Sequence, residues 1–323
     1  MGVGMVEMGR VLRMLSVIMA VSFIASAGPS GVARADGLEV GDGVVLANSL
    51  PSSLPSSLPS STPSSTPSSL PRAGSMRDVL SNMRWGIGLA GASYPHYPGA
   101  DQDDQVVLPI PYLEYYGTYF QIDNDGLAAH LFRSDRVALD VSVNGALPVD
   151  SEDNRARSGM PDLEFMGEIG PSVQLTLARG ATWQARFDVP VRVNLDLGGD
   201  VLRDRGATID PRFHIERHWR ALGGEVTAEI DLGALYGDRR YHDVFYAVAP
   251  AYETASRAAY TPASGLLAYR ASTTVEFRRG PYLAIGYLRF LDLSDSKNAA
   301  SPLMQKDDYL AGGVALIRLF DGI

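Results

Sequence analysis

Between Trp183 and Leu197, hydrophobic and polar side chains alternate, with Pro190 the one exception on the polar side. Trp183, Ala185, Phe187, Val189, Val191, Val193, Leu195 and Leu197 fall on one face, and Gln184, Arg186, Asp188, Arg192, Asn194 and Asp196 on the other. A period of two places successive side chains on opposite faces of a β-strand. Fifteen residues is long for a soluble sheet, where about five or six is usual. It suits a tilted strand that crosses a bilayer and continues past it. The same texture recurs in Val137, Leu139, Val141 and Val143 against Asp140, Ser142 and Asn144. It returns in Leu222, Val226, Ala228, Ile230 and Leu232 against Glu225, Thr227, Glu229 and Asp231. A last one-sided set, Tyr309, Ala311, Ala315, Ile317 and Leu319, is expected on the lipid face. Turns punctuate the pattern at Gly198-Gly199-Asp200, Gly237-Asp238 and Gly312-Gly313.

An apolar face paired with a charged one, repeated from about residue 84 onward, predicts an all-β fold. The expected form is a transmembrane antiparallel β-barrel with lipid outside and a polar lumen. At about 20 residues per strand and turn, residues 81–323 provide about 12 strands, and an even number leaves both chain ends on the periplasmic side. Hydrophobic residues are 46% of the chain. Past the N-terminus they never form the roughly 18-residue apolar run of a spanning helix.

The N-terminus follows a different pattern. Arg10 and Arg13 precede a short apolar run, Val17 to Ala25, and Ala33-Arg34-Ala35 precedes Asp36. This is the layout of a secretory signal peptide over residues 1–35, cleaved between Ala35 and Asp36. A Leu-Pro-Ser-Ser repeat then begins at Leu50 and continues with Leu or Thr leading, to Leu70-Pro71. Proline at every fourth position blocks both helix and ladder, so residues 36–80 are expected to form a disordered tail in the periplasm. Extended as polyproline II, Ala47 to Ser75 would reach roughly 90 Å.

The formal charge of −9 argues against a nucleic-acid partner. The absence of cysteine removes disulfides, thiolate metal sites and cysteine nucleophiles. His214-Ile215-Glu216-Arg217-His218 is the one arrangement with a metal-like composition. On a strand, its two histidines stand about 13–14 Å apart, too far to share one zinc. His214, Glu216 and His218 are therefore expected to line the lumen, with Arg186, Asp188, Arg192 and Asp196, and no cofactor is expected. No serine sits in a nucleophile context, and His130 and Ser134 are merely four residues apart, so no enzyme is expected. The charged stretches Asp150–Arg157 and Asp200–Arg205 are expected to be solvated loops.

Several segments together resemble one family. Tyr97-Pro98-Gly99-Ala100-Asp101 is followed by Leu108-Pro109-Ile110-Pro111-Tyr112. Leu147 to Leu163 comes next, with Glu168-Ile169-Gly170-Pro171 behind it. Asp210-Pro211-Arg212-Phe213, Tyr241 to Val248, Tyr260 to Gly265 and Ser301-Pro302-Leu303 complete the set. In this order they resemble the MipA/OmpV family of outer-membrane proteins, which includes an MltA-interacting scaffold. The resemblance implies a monomeric barrel in the outer membrane that binds a murein hydrolase and a murein synthase, namely a lytic transglycosylase and a penicillin-binding protein. A narrow pore or solute channel is the alternative, since the family name covers both kinds of role. Family members tend to end on an aromatic residue. Here Phe320 is expected to be out of phase with an outward set that ends at Leu319.

Overall fold

The computed structural model describes residues 83–116, 120–123, 126–146, 148–197 and 202–320. The signal peptide, its cleavage site at Ala35 and Asp36, and the proline-serine tract lie outside them. The described strands are β1 (Met83–Pro95), β2 (Asp103–Tyr116), β3 (Phe120–Asp123), β4 (Gly126–Arg133), β5 (Val137–Ala146), β6 (Met166–Arg179) and β7 (Trp183–Asp196). They continue as β8 (Arg203–Ile209), β9 (Arg212–Ala221), β10 (Gly224–Gly237), β11 (Gly265–Arg279), β12 (Tyr282–Asp292) and β13 (Asp308–Phe320). One short helix, α1 (Arg239–Tyr246), follows β10.

Neighbouring strands pair antiparallel around a closed ring, with β13 returning to β1 along Trp85↔Phe320 to Ser93↔Gly312. β8 and β9 share one position: β7 pairs with both, and so does β10. The wall therefore has twelve positions, as the spacing of the alternating segments predicted. The break between β8 and β9 falls at Asp210-Pro211, where proline offers no N–H to a ladder. Asp210 donates its N–H to the Pro190 carbonyl across the break, at 3.1 Å.

Prolines also mark β2. Its ladder with β1 runs unbroken through Leu89↔Pro109 and Ile87↔Pro111. That continuity requires both proline nitrogens to face away from β1, toward β3. On that side, among the described residues, β2 pairs with β3 only at Tyr115 and Tyr116. Two missing donors along a sparsely paired edge leave fewer orphaned N–H groups there.

The outward face is predominantly apolar: Ile87, Val173, Val191, Val193, Ile215 and Leu316 are all exposed. The three tryptophans, Trp85, Trp183 and Trp219, lie at one end of their strands, the end that carries the chain termini. An aromatic girdle of this kind marks a membrane–water interface. The connections at this end are tight, as at residues 134–136, 180–182, 222–223 and 280–281. Long connections lie at the opposite end.

Three expectations about faces need correction. On β13, Tyr309, Ala311, Ala315, Ile317 and Leu319 are buried inside the barrel, and Leu310, Val314 and Leu316 point outward. Phe320 is thus in phase with the outward set and stacks on Trp85 at 4.4 Å. Both faces of β13 are apolar, so alternation alone could not tell inside from outside. Leu222 is not part of a strand face; it occupies the β9–β10 turn with φ +53°, followed by Gly223 at φ +73°. Finally, Arg203, Asp204 and Arg205 open strand β8 and are not loop residues, because β7 reaches them through Asp196↔Arg203.

Candidate functional site

The interior has two unlike halves. The walls formed by β1, β2, β12 and β13 present Ala90, Leu108, Ile110, Tyr112, Leu283, Ile285, Ile317 and Leu319, packed as one buried apolar cluster. The walls from β5 to β11 present most of the charged residues. A uniformly polar lumen is therefore not what the sequence builds. Most charges lie on one side and the apolar cluster faces them, with Glu114 of β2 and Arg289 of β12 set on the apolar side.

The charged half is densely paired. Arg186 Nε donates to Asp188 at 2.9 Å, and Arg205 donates to Asp196 at 2.6 Å. Arg192 reaches Glu168 at 3.9 Å and Ser142 at 3.4 Å. His214 meets Asp231 at 3.0 Å. His218 meets Glu216 at 2.7 Å, and Gln184 donates to the same carboxylate at 2.6 Å. Glu216 stands between the two histidines, 2.7 Å from His218 and 4.0 Å from His214 Nε2. Sequence reasoning missed the contacts that cross the interior: Arg278 of β11 bonds Glu114 of β2, and Arg270 donates to Asp210 at 2.6 Å. Neither pair leaves a local trace, since its partners are 164 and 60 residues apart. Asp188, Asn194, Glu114 and His214 are all within a few per cent of complete burial. Paired charges and apolar packing bury these side chains against one another inside the barrel.

His130 and Ser134 do not form a catalytic pair. His130 Nδ1 bonds Asp140 at 2.7 Å, whereas the Ser134 hydroxyl donates to the Val137 carbonyl at 3.1 Å and closes the β4–β5 turn.

At the long-loop end, four connections fold over the mouth and lock together. Tyr97, Val149, Leu163, Phe245, Tyr246, Val248, Leu293 and Leu303 form a buried apolar cluster with the upper ends of the strands. Its polar edges are satisfied across loops. Tyr97 donates to the Leu303 carbonyl at 2.9 Å, Tyr246 to the Pro98 carbonyl at 2.8 Å, and Ser301 to the Tyr246 carbonyl at 2.9 Å. Arg257 donates to the carbonyls of Ala156 and Ser158 at 2.8 and 3.0 Å. Asp238 caps α1 by accepting from the Tyr241 N–H, and Gly206 lies so close beneath that a Cβ there would meet the Asp238 carboxylate.

The stretch Asp150–Arg157, expected to be solvated, is largely part of this cap. Ser151, Asn154 and Arg157 are buried, and the Asn154 amide bonds His96 Nδ1 at 3.1 Å. Burial lowers the Arg157 guanidinium to about 10. Two cap histidines respond oppositely to their settings. A hydrogen bond that His96 donates to the Asp104 carboxylate, opposed by burial, raises His96 above its ordinary value. Burial lowers His242 to about 4, and its Nδ1 faces the Asn298 amide.

The two rims also differ in charge. Around the short turns, Arg133, Arg136, Arg179, Arg217, Arg220, Arg279 and Arg318 are exposed, against Asp135 and Glu225 among the described residues. The long-loop rim is mixed, with Asp103, Asp150, Glu152, Asp153 and Glu164 exposed alongside Arg155, Arg203, Arg239, Arg240, Lys297 and Lys306.

The segments that carried the family resemblance are, for the most part, the cap. Tyr97 to Asp101, Leu147 to Leu163, Tyr241 to Val248, Tyr260 to Gly265 and Ser301 to Leu303 supply most of its contacts, and Asp210 to Phe213 is the wall break. No curated protein is significantly similar in sequence. A solved structure, a bacterial polysaccharide outer membrane secretin, superposes with a TM-score of 0.36 at 10% identity, covering 76% of this chain and 100% of that one. Agreement that loose carries no argument. The family model described as MltA-interacting protein MipA matches residues 87–320, which is the cap and the barrel wall apart from the first residues of β1. The chain belongs to the MltA-interacting protein MipA family.

Proposed function

We propose that the protein is a non-enzymatic scaffold in the outer membrane. Its partners would be peptidoglycan-remodelling enzymes, a lytic transglycosylase together with a penicillin-binding protein. The observation that carries this reading is the family match over residues 87–320, with interlocked loops capping the long-loop mouth. The family's description names interaction with a lytic transglycosylase. Holding two enzymes on one anchor raises the effective concentration of each for the other without any chemistry by the barrel.

In this arrangement the short-turn end faces the periplasm, and residues 36–80 extend from it once residues 1–35 have been removed between Ala35 and Asp36. The exposed arginines of that rim would steer acidic partner surfaces by long-range attraction, an effect that weakens as salt rises. Arg186, Asp188, Arg192, Asp196, His214, Glu216 and His218 act here as lumen-filling structural groups.

Planar-bilayer conductance together with capture of a purified lytic transglycosylase tests the proposal. A silent, heat-modifiable barrel that retains the enzyme is expected. Steady unitary current steps without capture would favour the narrow pore.

A further inference from the structure

On the outside of the barrel, four strands bring two kinds of residue into register. Val275, Gly286, Val314 and Gly91 are consecutive partners across β11, β12, β13 and β1. Four residues closer to the short-turn end of each strand, Arg279, Tyr282, Arg318 and Ile87 are partners in the same way. At about 3.3 Å per residue the rows lie roughly 13 Å apart. Between them, Ala284 continues the β12 floor, flanked by Phe277 and Leu316.

The result is a trough along β12. Ala284 and Gly286 form its floor, and the larger side chains of β11 and β13 form its walls. Around Gly286 it opens into an almost purely apolar recess of about 470 Å³, which Thr273, Leu288 and Gly312 help to line. A Cβ placed on Gly286 would meet nothing within 4 Å, so the space over the floor is open. At the foot of the trough stand two exposed arginines, Arg318 and Arg279, the latter with its guanidinium resting over Gly223 of the β9–β10 turn. Neither Arg279 nor Arg318 has an acidic partner among the described residues; Arg318 lies over the Phe320 ring at 5.4 Å.

We propose that this trough is a binding site for one phospholipid of the leaflet at the short-turn end. An acyl chain lies over Ala284 and Gly286, and the headgroup phosphate sits between Arg279 and Arg318 within reach of the Tyr282 hydroxyl. Charge complementarity at the foot and continuity with the outward apolar belt both select a lipid. At a strand tilt of about 40° the two rows differ in height by roughly 10 Å, within the about 15 Å spanned by one leaflet of a hydrocarbon core about 30 Å thick. Arginine suits the role because its guanidinium grips phosphate oxygens in pairs. The inference rests on the membrane-barrel fold and is independent of the scaffold role.

The test uses the mature full-length protein refolded into phosphatidylcholine vesicles containing one-tenth phosphatidylglycerol, then released into mild detergent for native mass spectrometry. Wild type should retain one phosphatidylglycerol. Gly286→Leu, which fills the recess, and the double variant Arg279→Gln/Arg318→Gln should each retain at least fivefold less, both remaining heat-modifiable. Ala228→Leu, on the outward face of β10, should retain lipid as wild type does. Should Gly286→Leu not assemble, Gly286→Ala and the arginine variant decide the matter. Undiminished lipid on Gly286→Leu would overturn the proposal, as would equal loss on Ala228→Leu. A dimer that Gly286→Leu dissociates would show a second copy as the occupant and would equally overturn it.

Discussion

The outward face of β7 allows the depth of the barrel in its membrane to be measured by charge insertion. Trp183 marks the interface at the short-turn end. Val189 stands six residues above it and Val193 ten, both outward and on one strand. At about 3.3 Å per residue and a tilt of about 40°, Val189 lies roughly 15 Å above the girdle and Val193 roughly 25 Å. The apolar band of such barrels is about 25 Å tall, so Val189 is near the midplane and Val193 near the far edge. An arginine costs about 2–4 kcal/mol at the midplane and about 0–1 kcal/mol at an interface. Val189→Arg should therefore be about 2–3 kcal/mol less stable than Val193→Arg, a factor of roughly 30 to 150 in the unfolding equilibrium. Reversible urea unfolding of the refolded barrel in lipid vesicles, followed by tryptophan fluorescence, measures both. Equal losses would mean that the outward face or the height scale is misassigned. A greater loss at Val193 would place the bilayer nearer the long loops and refute Trp183 as an interface marker.

Other expectations follow from the turns, the cap and the tail. Leu222→Asn should stabilise the barrel by about 0.5–1 kcal/mol in the same assay, because Leu222 and Gly223 both have positive φ and Asn-Gly suits such a turn. Acidification should loosen the cap. The fold holds the His242 pKa below its unfolded value, so this residue's contribution is complete above about pH 6.5. That contribution should fade as pH falls toward 4, read as faster hydrogen exchange in residues 239–246, and His242→Gln should flatten the response. His96 acts in the opposite sense: its raised pKa contributes stability below about pH 6.5 that is lost as pH rises, and Asp104→Asn should remove that part. Tyr97→Phe leaves the Leu303 carbonyl without its buried donor and should cost about 1–3 kcal/mol, seen as earlier proteolysis within residues 293–307. Deleting Ala47–Ser75 should leave barrel assembly, read by heat modifiability, unchanged; loss of folding would refute a barrel boundary near residue 80.

Much of the wall was legible in the sequence because, on β5, β7, β9 and β10, one face is apolar and the other charged. A period of two then identifies the strand and also separates its sides, as Val191 and Arg192 illustrate. The family motifs were legible too, as an ordered set of short segments, although nothing local revealed what they build. Only the tertiary structure decided the rest. On β13 both alternating sets are apolar, so pairing with β1 and β12 had to determine that Ile317 points in and Leu316 points out. Leu222 looks like another outward strand residue until the closing of the β9–β10 hairpin turns it to positive φ. Ser151, Asn154 and Arg157 belong to a polar stretch whose composition implies solvent. They are buried: Asn154 and Arg157 find partners on loops distant in sequence, His96 and the Phe245 carbonyl, while Ser151 bonds the Pro161 carbonyl within its own loop. Glu114 and Arg278 show the limit most plainly: separately each is an ordinary charged residue on a strand, and only ring closure brings them together across the interior. Alternation is a local property, fixed by the backbone's own period. Which side is inside, and which charge answers which, is settled by contacts between strands that the sequence keeps far apart.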